Sequence, residues 1–172
     1  MNTRNNQRSL RSQETIERAF VALLDTQSVE KITVQSICKL ANVNRTTFYT
    51  HYTDVRDLEN KIETKLSAQI EEIFKETVSA GKDLDCAFCA MFYFIKEHCV
   101  FYRVFLNYHN LPILKTILNS TSDHPEHTDS CNYHIAFFTA GVSEMARIWL
   151  NHGCRETPEE MARIIYEEYC RT

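Results

Sequence analysis

The polar side chains of residues 44–51 are of the types that read DNA. Arg45 can donate two hydrogen bonds to guanine O6 and N7. Thr46 and Thr50 can contact a thymine methyl group or a base edge. Gln35, on the exposed side of the preceding predicted helix, can reach either a base or a phosphate. The spacing of these groups predicts a short helix whose N-terminal residues approach base edges.

Two short helices joined by a tight turn are predicted between residues 33 and 52. Thr33 can cap the first helix, because a threonine hydroxyl accepts an unpaired backbone N–H. Ile37 and Leu40 give this helix an apolar face at i, i+3 spacing. Asn42 falls where the chain must turn, and asparagine tolerates the left-handed conformation. Val43 is expected to pack beneath the turn.

The second of these helices is expected to be amphipathic. Asn44 is placed to cap it, while Phe48 and Tyr52 point inward. Its outward residues are Arg45, Thr46, Thr47, Tyr49, Thr50 and His51. This arrangement is that of a DNA recognition helix, and the alternative is a helix pair that binds another protein.

Several short stretches resemble the tetracycline-repressor-like family of bacterial regulators. They are residues 32–34, 37–43 and 47–52, together with Leu58, so the resemblance covers about the first 60 residues. It implies an all-helical DNA-binding regulator with a small-molecule effector. It also implies phosphate contacts by Thr33, Thr47, Tyr49 and His51.

Two positions depart from the family pattern. Asn42 stands where the family usually has glycine, a mild change given the conformational tolerance of asparagine. Val55 stands where the family usually has a lysine that touches a phosphate, and the neighbouring Arg56 is the candidate replacement.

The charge of the chain is divided unevenly along its length. Residues 1–52 carry seven Lys and Arg against four Asp and Glu, or +3, whereas residues 53–172 carry twelve against nineteen, or −7. These sum to the net charge of −4. A basic head on an acidic body is typical of a DNA reader with a separate partner or effector domain.

An all-α fold of about nine helices is predicted, because Gly and Pro number only three each. Residues 1–52 are expected to form a disordered polar arm (residues 1–8, where Arg4 and Arg8 could enter a minor groove) and the helix-turn-helix domain. The first helix of this domain is predicted to follow the arm and to carry the apolar residues from Ile16 to Leu24. Residues 53–172 are expected to form a connecting helix and a C-terminal domain for ligand binding and dimerisation.

The connecting helix is predicted from Asp54 to near Gly81. Later helices are predicted over Leu84–His98, Val100–Asn107, a short stretch after Pro112, Tyr133–Asn151 and from Thr157 onward, with a loop over Ser120–Ser130.

The last two predicted helices resemble those of regulators of dihydroxyacetone kinase operons, a branch of the same family. The matching residues are 137–142, 149–150, 153 and 157–161. This resemblance supports dimerisation through these helices. The candidate interface residues are Met145, Trp149, Ile164 and Ile165.

Two groups of residues with metal-ligand or thiol chemistry stand outside this pattern. Cys86 and Cys89 form a Cys-x-x-Cys in an apolar helical stretch, where packing is favoured over redox sensing. A second group with competent zinc or copper ligands lies in a polar stretch that reads as a solvated loop. It comprises His124, His127, Cys131 and His134.

Aromatic side chains in the C-terminal half could line an apolar effector cavity or form ordinary core. The candidate lining residues are Phe94, Phe101, Phe105 and Phe137. No phosphate-binding loop, nucleophile elbow or zinc-protease motif is present in the sequence, so neither catalysis nor a cofactor is expected.

The sequence therefore predicts a homodimeric transcriptional regulator, and repression is favoured over activation. Its expected partners are double-stranded DNA, a second copy of the chain and a possible small-molecule effector. No secretory signal or membrane span is recognisable, which favours the cytoplasm, where the seven cysteines are expected to be reduced. Two alternatives stay open: the same fold acting through a partner protein with little direct DNA binding, and a metal- or thiol-responsive sensor.

Overall fold

The structure is a computed structural model that describes residues 3–81, 83–111 and 129–170. Eight α-helices and no β-strand occur in these ranges, which confirms the predicted all-α class. A 3₁₀ turn (Val29–Lys31) precedes the second helix, and a π-helical turn (Tyr166–Cys170) follows the eighth. The helices are α1 (Thr3–Leu24), α2 (Val34–Ala41), α3 (Arg45–Tyr49), α4 (Val55–Ser79), α5 (Leu84–Glu97), α6 (Cys99–Phe105), α7 (Asp129–Asn151) and α8 (Pro158–Ile165).

The chain divides into two compact units. The first ends at Lys65 and the second begins at Leu66, so the division falls within α4. With 25 residues, α4 extends over roughly 37 Å. The boundary at residues 52/53, which separates a DNA-binding from a regulatory part, stays a functional prediction. The predicted helix after Pro112 and most of the predicted 120–130 loop lie outside the described residues.

The first unit is built around α1, which packs on α2 and α3. Ile16, Phe20, Ile37, Phe48 and Leu58 are completely buried between these helices and the start of α4. At about 1.5–3 kcal/mol for each large apolar side chain, this cluster is a main source of stability for the unit.

Two expectations about the first unit were wrong. Helix α1 begins at Thr3, so residues 3–8 are helical and do not form a disordered arm. Residues 3–24 contain neither Gly nor Pro, and Arg and Gln are good helix formers, so nothing stops the helix from extending to Thr3. Leu40 is 54% exposed and does not contribute to the apolar face of α2, which Ile37, Cys38 and Ala41 supply.

The second unit is organised by α5, which packs along α8. Trp149 of α7 contacts Phe92 of α5 edge-on at 5.3 Å between ring centroids. The Trp149 indole Nε1–H donates to the carbonyl oxygen of Glu156 at 2.9 Å. This bond ties the end of α7 to the loop that leads into α8. None of the described helices is long and apolar enough to span a membrane.

Candidate nucleic-acid interface

The turn between α2 and α3 has the geometry that the sequence predicts. The Thr33 hydroxyl accepts the Ser36 N–H at 3.1 Å, and Ser36 Oγ accepts the Thr33 N–H at 3.0 Å, which completes a capping box at the start of α2. Asn42 ends α2 in the left-handed conformation, with φ of 52°. The next N–H, of Val43, donates to the Cys38 carbonyl at 3.0 Å. These bonds fix the direction in which α3 leaves the turn.

Helix α3 is shorter than the predicted 44–51 segment. It covers Arg45–Tyr49, and the Asn44 side chain makes no capping hydrogen bond although Asn44 occupies the cap position. After Tyr49 the chain continues in a tighter turn, since the His51 N–H donates to the Phe48 carbonyl at 2.9 Å. Phe48 and Tyr52 are 0% and 2% exposed, and they anchor the middle and the C-terminal end of this segment in the core.

Most of the predicted DNA contacts lie on the surface of the first unit. Tyr49 is 56% exposed although it is a large aromatic residue. The other exposed members of the set are Thr33, Gln35, Asn44, Arg45, Thr46, Thr50 and Arg56, whereas Thr47 and His51 are half-buried. The Thr50 hydroxyl donates to the Thr47 carbonyl at 2.7 Å, which leaves its oxygen free to accept another hydrogen bond. An arginine, a tyrosine and several hydroxyl groups thus share one segment with their polar atoms at the surface.

His51 is positioned by a contact with α1. Its Nε2 lies 2.8 Å from Ser12 Oγ, although the two residues are 39 positions apart. One ring nitrogen is thereby engaged inside the unit, so a phosphate contact by His51 would use Nδ1. The contact also holds the end of the 44–51 segment against α1.

A hydrogen-bonded network under Tyr52 holds α1, α4 and the end of the recognition segment together. The Tyr52 hydroxyl donates to Glu17 Oε1 at 3.0 Å, as does Gln13 Nε2 at 3.0 Å. Lys65 Nζ forms an ion pair with Glu17 Oε2 at 2.7 Å. All four residues lie in the first unit.

The pKa values within this network reflect the competition between burial and pairing. Burial by itself would raise the pKa of Glu17, but the hydrogen bonds from Lys65 and Gln13 and the charge of Lys65 outweigh it and lower that pKa. Burial, with the neighbouring Glu17 carboxylate, raises the pKa of Tyr52 well above its usual range. Near neutral pH the network therefore contains a charged Glu17 carboxylate and a neutral Tyr52 phenol.

The start of α4 is capped by acidic residues. Asp54 Oδ1 accepts the Asp57 N–H at 2.8 Å, and Asp57 Oδ2 accepts the Thr53 N–H at 2.9 Å. The backbone bond from Thr53, followed by the bond from Lys61, lowers the pKa of Asp57. These carboxylates occupy the helix end that could otherwise bind a phosphate. Arg56, exposed in the same turn, is the cation available to a phosphate there.

Lys61 was not predicted from the sequence, yet it stabilises the end of the recognition segment. Its Nζ donates to the His51 carbonyl at 2.8 Å, pairs with Asp57 at 3.1 Å and lies 5.2 Å from the centroid of the Tyr52 ring. The i, i+4 spacing of Asp57 and Lys61 was a recognisable signal of an ion pair. The contacts Ser12–His51, Glu17–Tyr52 and Glu17–Lys65 had no local signal, since the partners are 35 to 48 residues apart.

The predicted effector-pocket residues are divided between core and surface. Phe94, Phe101 and Phe105 are buried, and the rings of the last two stack at 5.6 Å. Phe105 also stacks on the His109 ring at 4.8 Å. Phe137 is 72% exposed on α7, so it does not line a cavity with the other three.

The predicted dimer residues are likewise divided. Trp149 and Ile165 are 1% and 0% exposed and belong to the core of the second unit, because one meets Phe92 and the other lies on the inner face of α8. Ile164 is 39% exposed and Met145 is half-buried, so these two remain available. The apolar groups most exposed on α7 are instead Tyr133 (74%), Phe137 (72%) and Ile148 (44%).

The two candidate ligand groups also have different surroundings. His124 and His127 lie outside the described residues, as does the side chain of Cys131, while His134 is exposed on α7. Among the described residues no three His, Cys, Asp or Glu side chains are grouped to hold a metal ion. Cys86 is exposed and Cys89 is half-buried, so neither packs as a core residue.

Comparisons with known proteins agree with this architecture. Residues 82–167 match a TetR family model described as "Transcriptional regulator C-terminal region". The "Dihydroxyacetone kinase operon activator DhaS" has a similar structure, with a TM-score of 0.65 at 17% identity over 91% of this chain and 92% of that one. The fatty acid degradation regulator FadR from Bacillus halodurans has a TM-score of 0.69 at 11% identity, over 91% and 93%.

A TetR transcriptional regulator from Streptococcus agalactiae is similar over 95% of this chain and 96% of its own, with a TM-score of 0.66 and 20% identity. At such identities these likenesses establish the fold. No sequence among curated proteins matches this chain.

Proposed function

This chain belongs to the TetR family of transcriptional regulators, and from that premise we propose that it is a homodimeric repressor that reads a palindromic operator. The observation that carries the proposal is the exposure of Arg45, Thr46 and Tyr49 on a segment anchored by the buried Phe48 and Tyr52. The segment is apolar and buried where it meets the core and polar where it meets solvent. Base edges would be read by Arg45, Thr46 and Thr50, and phosphates would be bound by their neighbours.

A dimer follows from the small size of the recognition segment. Helix α3 has only five residues, and so short a helix makes few base contacts. Two copies on one DNA molecule would double these contacts. Their separation has to match one turn of DNA, roughly 34–36 Å, or a multiple of it. Because a dimer has twofold symmetry, its operator would be palindromic.

The exposed apolar residues of α7 and α8 are the surface that we assign to dimerisation. Association of two copies would bury the apolar surface of four exposed side chains, Tyr133, Phe137 and Ile148 on α7 and Ile164 on α8. They replace Trp149 and Ile165 of the sequence-based set, whose side chains are already buried within one chain. The two helices of each copy would then form a four-helix interface.

Control of DNA binding would reside in the second unit. A small molecule that binds this unit more tightly in one conformation shifts the equilibrium toward it, and DNA affinity changes by the same coupling free energy. The continuous helix α4 contains residues of both units and is the natural carrier of this coupling. Repression needs only occupancy of the promoter, which is why we propose it ahead of activation. The same proposal places the protein in the cytoplasm, with the DNA.

The test is a fluorescence-anisotropy titration of the purified full chain against the DNA upstream of its own gene. Arg45→Ala and Tyr49→Ala remove groups from the recognition segment, and Arg155→Ala removes an exposed positive charge from the second unit as a matched control. Each good bidentate base contact contributes about 1–3 kcal/mol, so Arg45→Ala should weaken specific binding by about 5- to 150-fold. Arg155→Ala should bind as the unmodified protein does.

The salt dependence of the same titration separates direct DNA reading from the partner-protein alternative. A DNA reader loses affinity with a log–log slope of about −0.9 for every phosphate that it neutralises. Specific binding that is insensitive to salt and to Arg45→Ala would overturn the proposal. A reporter gene behind the bound DNA then distinguishes repression from activation by the sign of the change in expression when the regulator is deleted.

A further inference from the structure

A groove of about 890 Å³ runs between α5 and α8 in the second unit. On the α5 side it is lined by Cys86, Cys89 and Tyr93, which lie on one face of the helix at i, i+3 and i+7. On the α8 side it is lined by Glu159 and Arg163 among others. Both thiols of the Cys-x-x-Cys pair thus face the same accessible space, one helical turn apart.

The exposure of these cysteines argues against a purely packing role. Structural cysteines are among the most buried residues of a protein, and Cys38 of the first unit, 6% exposed, is one of this kind. Cys86 is exposed and Cys89 is half-buried at the groove wall. The packing role favoured by the sequence therefore describes Cys38 and does not describe this pair.

The charge of the groove favours a cation. Three carboxylates, those of Asp85, Glu159 and Glu167, line it together with a single guanidinium, that of Arg163. The Tyr93 hydroxyl donates a hydrogen bond to Glu159, so α5 and α8 are joined at this wall of the groove. A positive ion that entered the groove would be attracted by the net negative charge of the wall.

We propose that Cys86 and Cys89 form a binding site for a soft monovalent metal cation, with Cu(I) as the ion that fits best. Thiolates are the ligands that select Cu(I). This ion is satisfied by two thiolates in a near-linear arrangement, whereas structural zinc requires four ligands. The described residues provide no group of three metal ligands, so the pair suits an ion that needs only two. The site is independent of DNA reading.

Binding exchanges protons for the metal. Two S–H bonds break, two Cu–S bonds form, and two protons leave to the buffer without any change in the oxidation state of copper or sulfur. Burial, followed by the charge of Glu159, raises the pKa of Cys89, so the thiol is protonated before the metal arrives. The resulting bis-thiolate complex of a monovalent ion carries a net charge of −1. The Arg163 guanidinium on the groove wall, and not the carboxylates, is the group that offsets this charge.

A second pair of cysteines provides an internal control. Cys99, at the start of α6, and Cys154, after α7, are both half-buried. Burial raises the pKa of Cys154, the nearby Cys99 thiol raises it further, and Lys96 and Arg103 oppose this shift. Lys96 and Arg103 place positive charge near Cys154, against the single carboxylate of Glu156, and this balance disfavours a metal ion there.

The experiment is an anaerobic titration of the reduced full chain with Cu(I) in competition with a chromophoric Cu(I) chelator. The variants are Cys86→Ser, Cys89→Ser and the double variant, and Cys99→Ser/Cys154→Ser is the matched control. We expect the chain to retain one equivalent of Cu(I) at chelator concentrations that strip the double variant. Outer-shell residues alone contribute about 10- to 100-fold to metal affinity, so loss of either thiol should weaken binding by more than about 100-fold.

Far-UV circular dichroism of each variant confirms that it is folded before the titration. The control pair should retain the same equivalent with unchanged affinity. Equal Cu(I) retention by the unmodified chain and the Cys86→Ser/Cys89→Ser variant would overturn the proposal, as would the absence of any equivalent that survives the chelator. Specific DNA binding in the titration described above is unaffected by either result, so the two proposals fail separately.

Discussion

Glu17 is the residue on which the internal order of the first unit depends most directly. Its side chain is only 13% exposed, and its carboxylate accepts hydrogen bonds from Gln13, Tyr52 and Lys65. A buried carboxylate with fewer partners would be costly, since an unpaired buried charge destabilises a fold strongly. The pairing of this carboxylate therefore gives the protein a specific sensitivity to acid.

The first prediction concerns this sensitivity. The pKa of Glu17 is lowered in the fold, so the pairing of this carboxylate stabilises the folded protein at pH values above its ordinary pKa of 4.5. This contribution is lost as the pH falls through the lowered pKa of the folded state. Lys65→Met should lower the free energy of unfolding by about 1–3 kcal/mol at pH 7. Urea unfolding at pH 7 and at pH 4 should show that the deficit shrinks in acid. The matched control is Lys75→Met, which removes an exposed partner of Glu71 and should leave stability essentially unchanged at both pH values. A deficit that is equal at both pH values would contradict this account.

The second prediction concerns the left-handed residue in the turn before α3. Asn42 has a φ of 52°, a conformation in which a side chain with a Cβ costs about 1–2 kcal/mol and glycine costs almost nothing. Asn42→Ala should therefore destabilise the protein by about 1 kcal/mol, whereas Asn42→Gly should leave it unchanged or slightly more stable. Thermal unfolding of both variants measures this order directly. If alanine were tolerated as well as glycine, backbone strain at Asn42 could not be what selects the residue.

At the scale of helices, local signals in the sequence predicted the positions of most ends. Thr33 and Asn42 mark helix ends by chemistry that acts within four residues, and both have the predicted role. Asn44 occupies the predicted cap position but makes no capping hydrogen bond. The start of α1 was predicted wrongly because polar composition was taken as a sign of disorder, while the absence of Gly and Pro allowed a helix.

Side-chain burial was less predictable than helix position. An apolar residue on an amphipathic helix can face its own core or a second chain, and periodicity does not distinguish these two. Trp149 and Ile165 were thus assigned to an interface although they are buried within the second unit. The contact of Ser12 with His51 depends on where α1 crosses the recognition segment, which no local pattern encodes.

The third prediction concerns the start of α8. The Thr157 hydroxyl accepts the Glu160 N–H at 3.2 Å, and Glu160 Oε2 accepts the Thr157 N–H at 2.7 Å. Thr157→Ala should destabilise the fold by about 1 kcal/mol, because it leaves a helix N–H without its partner. Thr64→Ala on α4 is the control, since an exposed threonine inside a helix can be replaced by alanine without loss. Urea midpoints that shift equally in the two variants would show that the cap contributes nothing.

At the scale of the whole molecule, the exposed apolar residues of α7 bear on assembly. The fourth prediction is that Phe137→Glu or Ile148→Glu converts the proposed dimer into a monomer, because a charge cannot be buried in an apolar interface without a partner. Sedimentation velocity over a range of concentrations measures the change. Tyr108→Glu replaces an aromatic residue that is 69% exposed and lies outside α7 and α8, so it should leave the dimer intact. A dimer that persists in both α7 variants would place the interface elsewhere.

Loss of the dimer should also reduce operator affinity, although these substitutions lie far in sequence from residues 44–51. A monomer retains one recognition segment and loses the gain from binding two half-sites at once. The α7 variants should therefore still bind DNA weakly and should no longer discriminate the palindrome from a single half-site. Equal affinity for both DNA molecules in the unmodified chain would exclude cooperative reading of two half-sites.

The partners of Glu17 have a consequence for how such a protein can change in evolution. Gln13, Tyr52 and Lys65 all precede the division between the two units, and Lys65 is the last residue before it. Recombination between related genes at this point of α4 would transfer the entire polar network along with the residues that it orients. A new DNA specificity could be acquired in one step, as a cassette, without any need to re-evolve the contacts that keep the cassette folded.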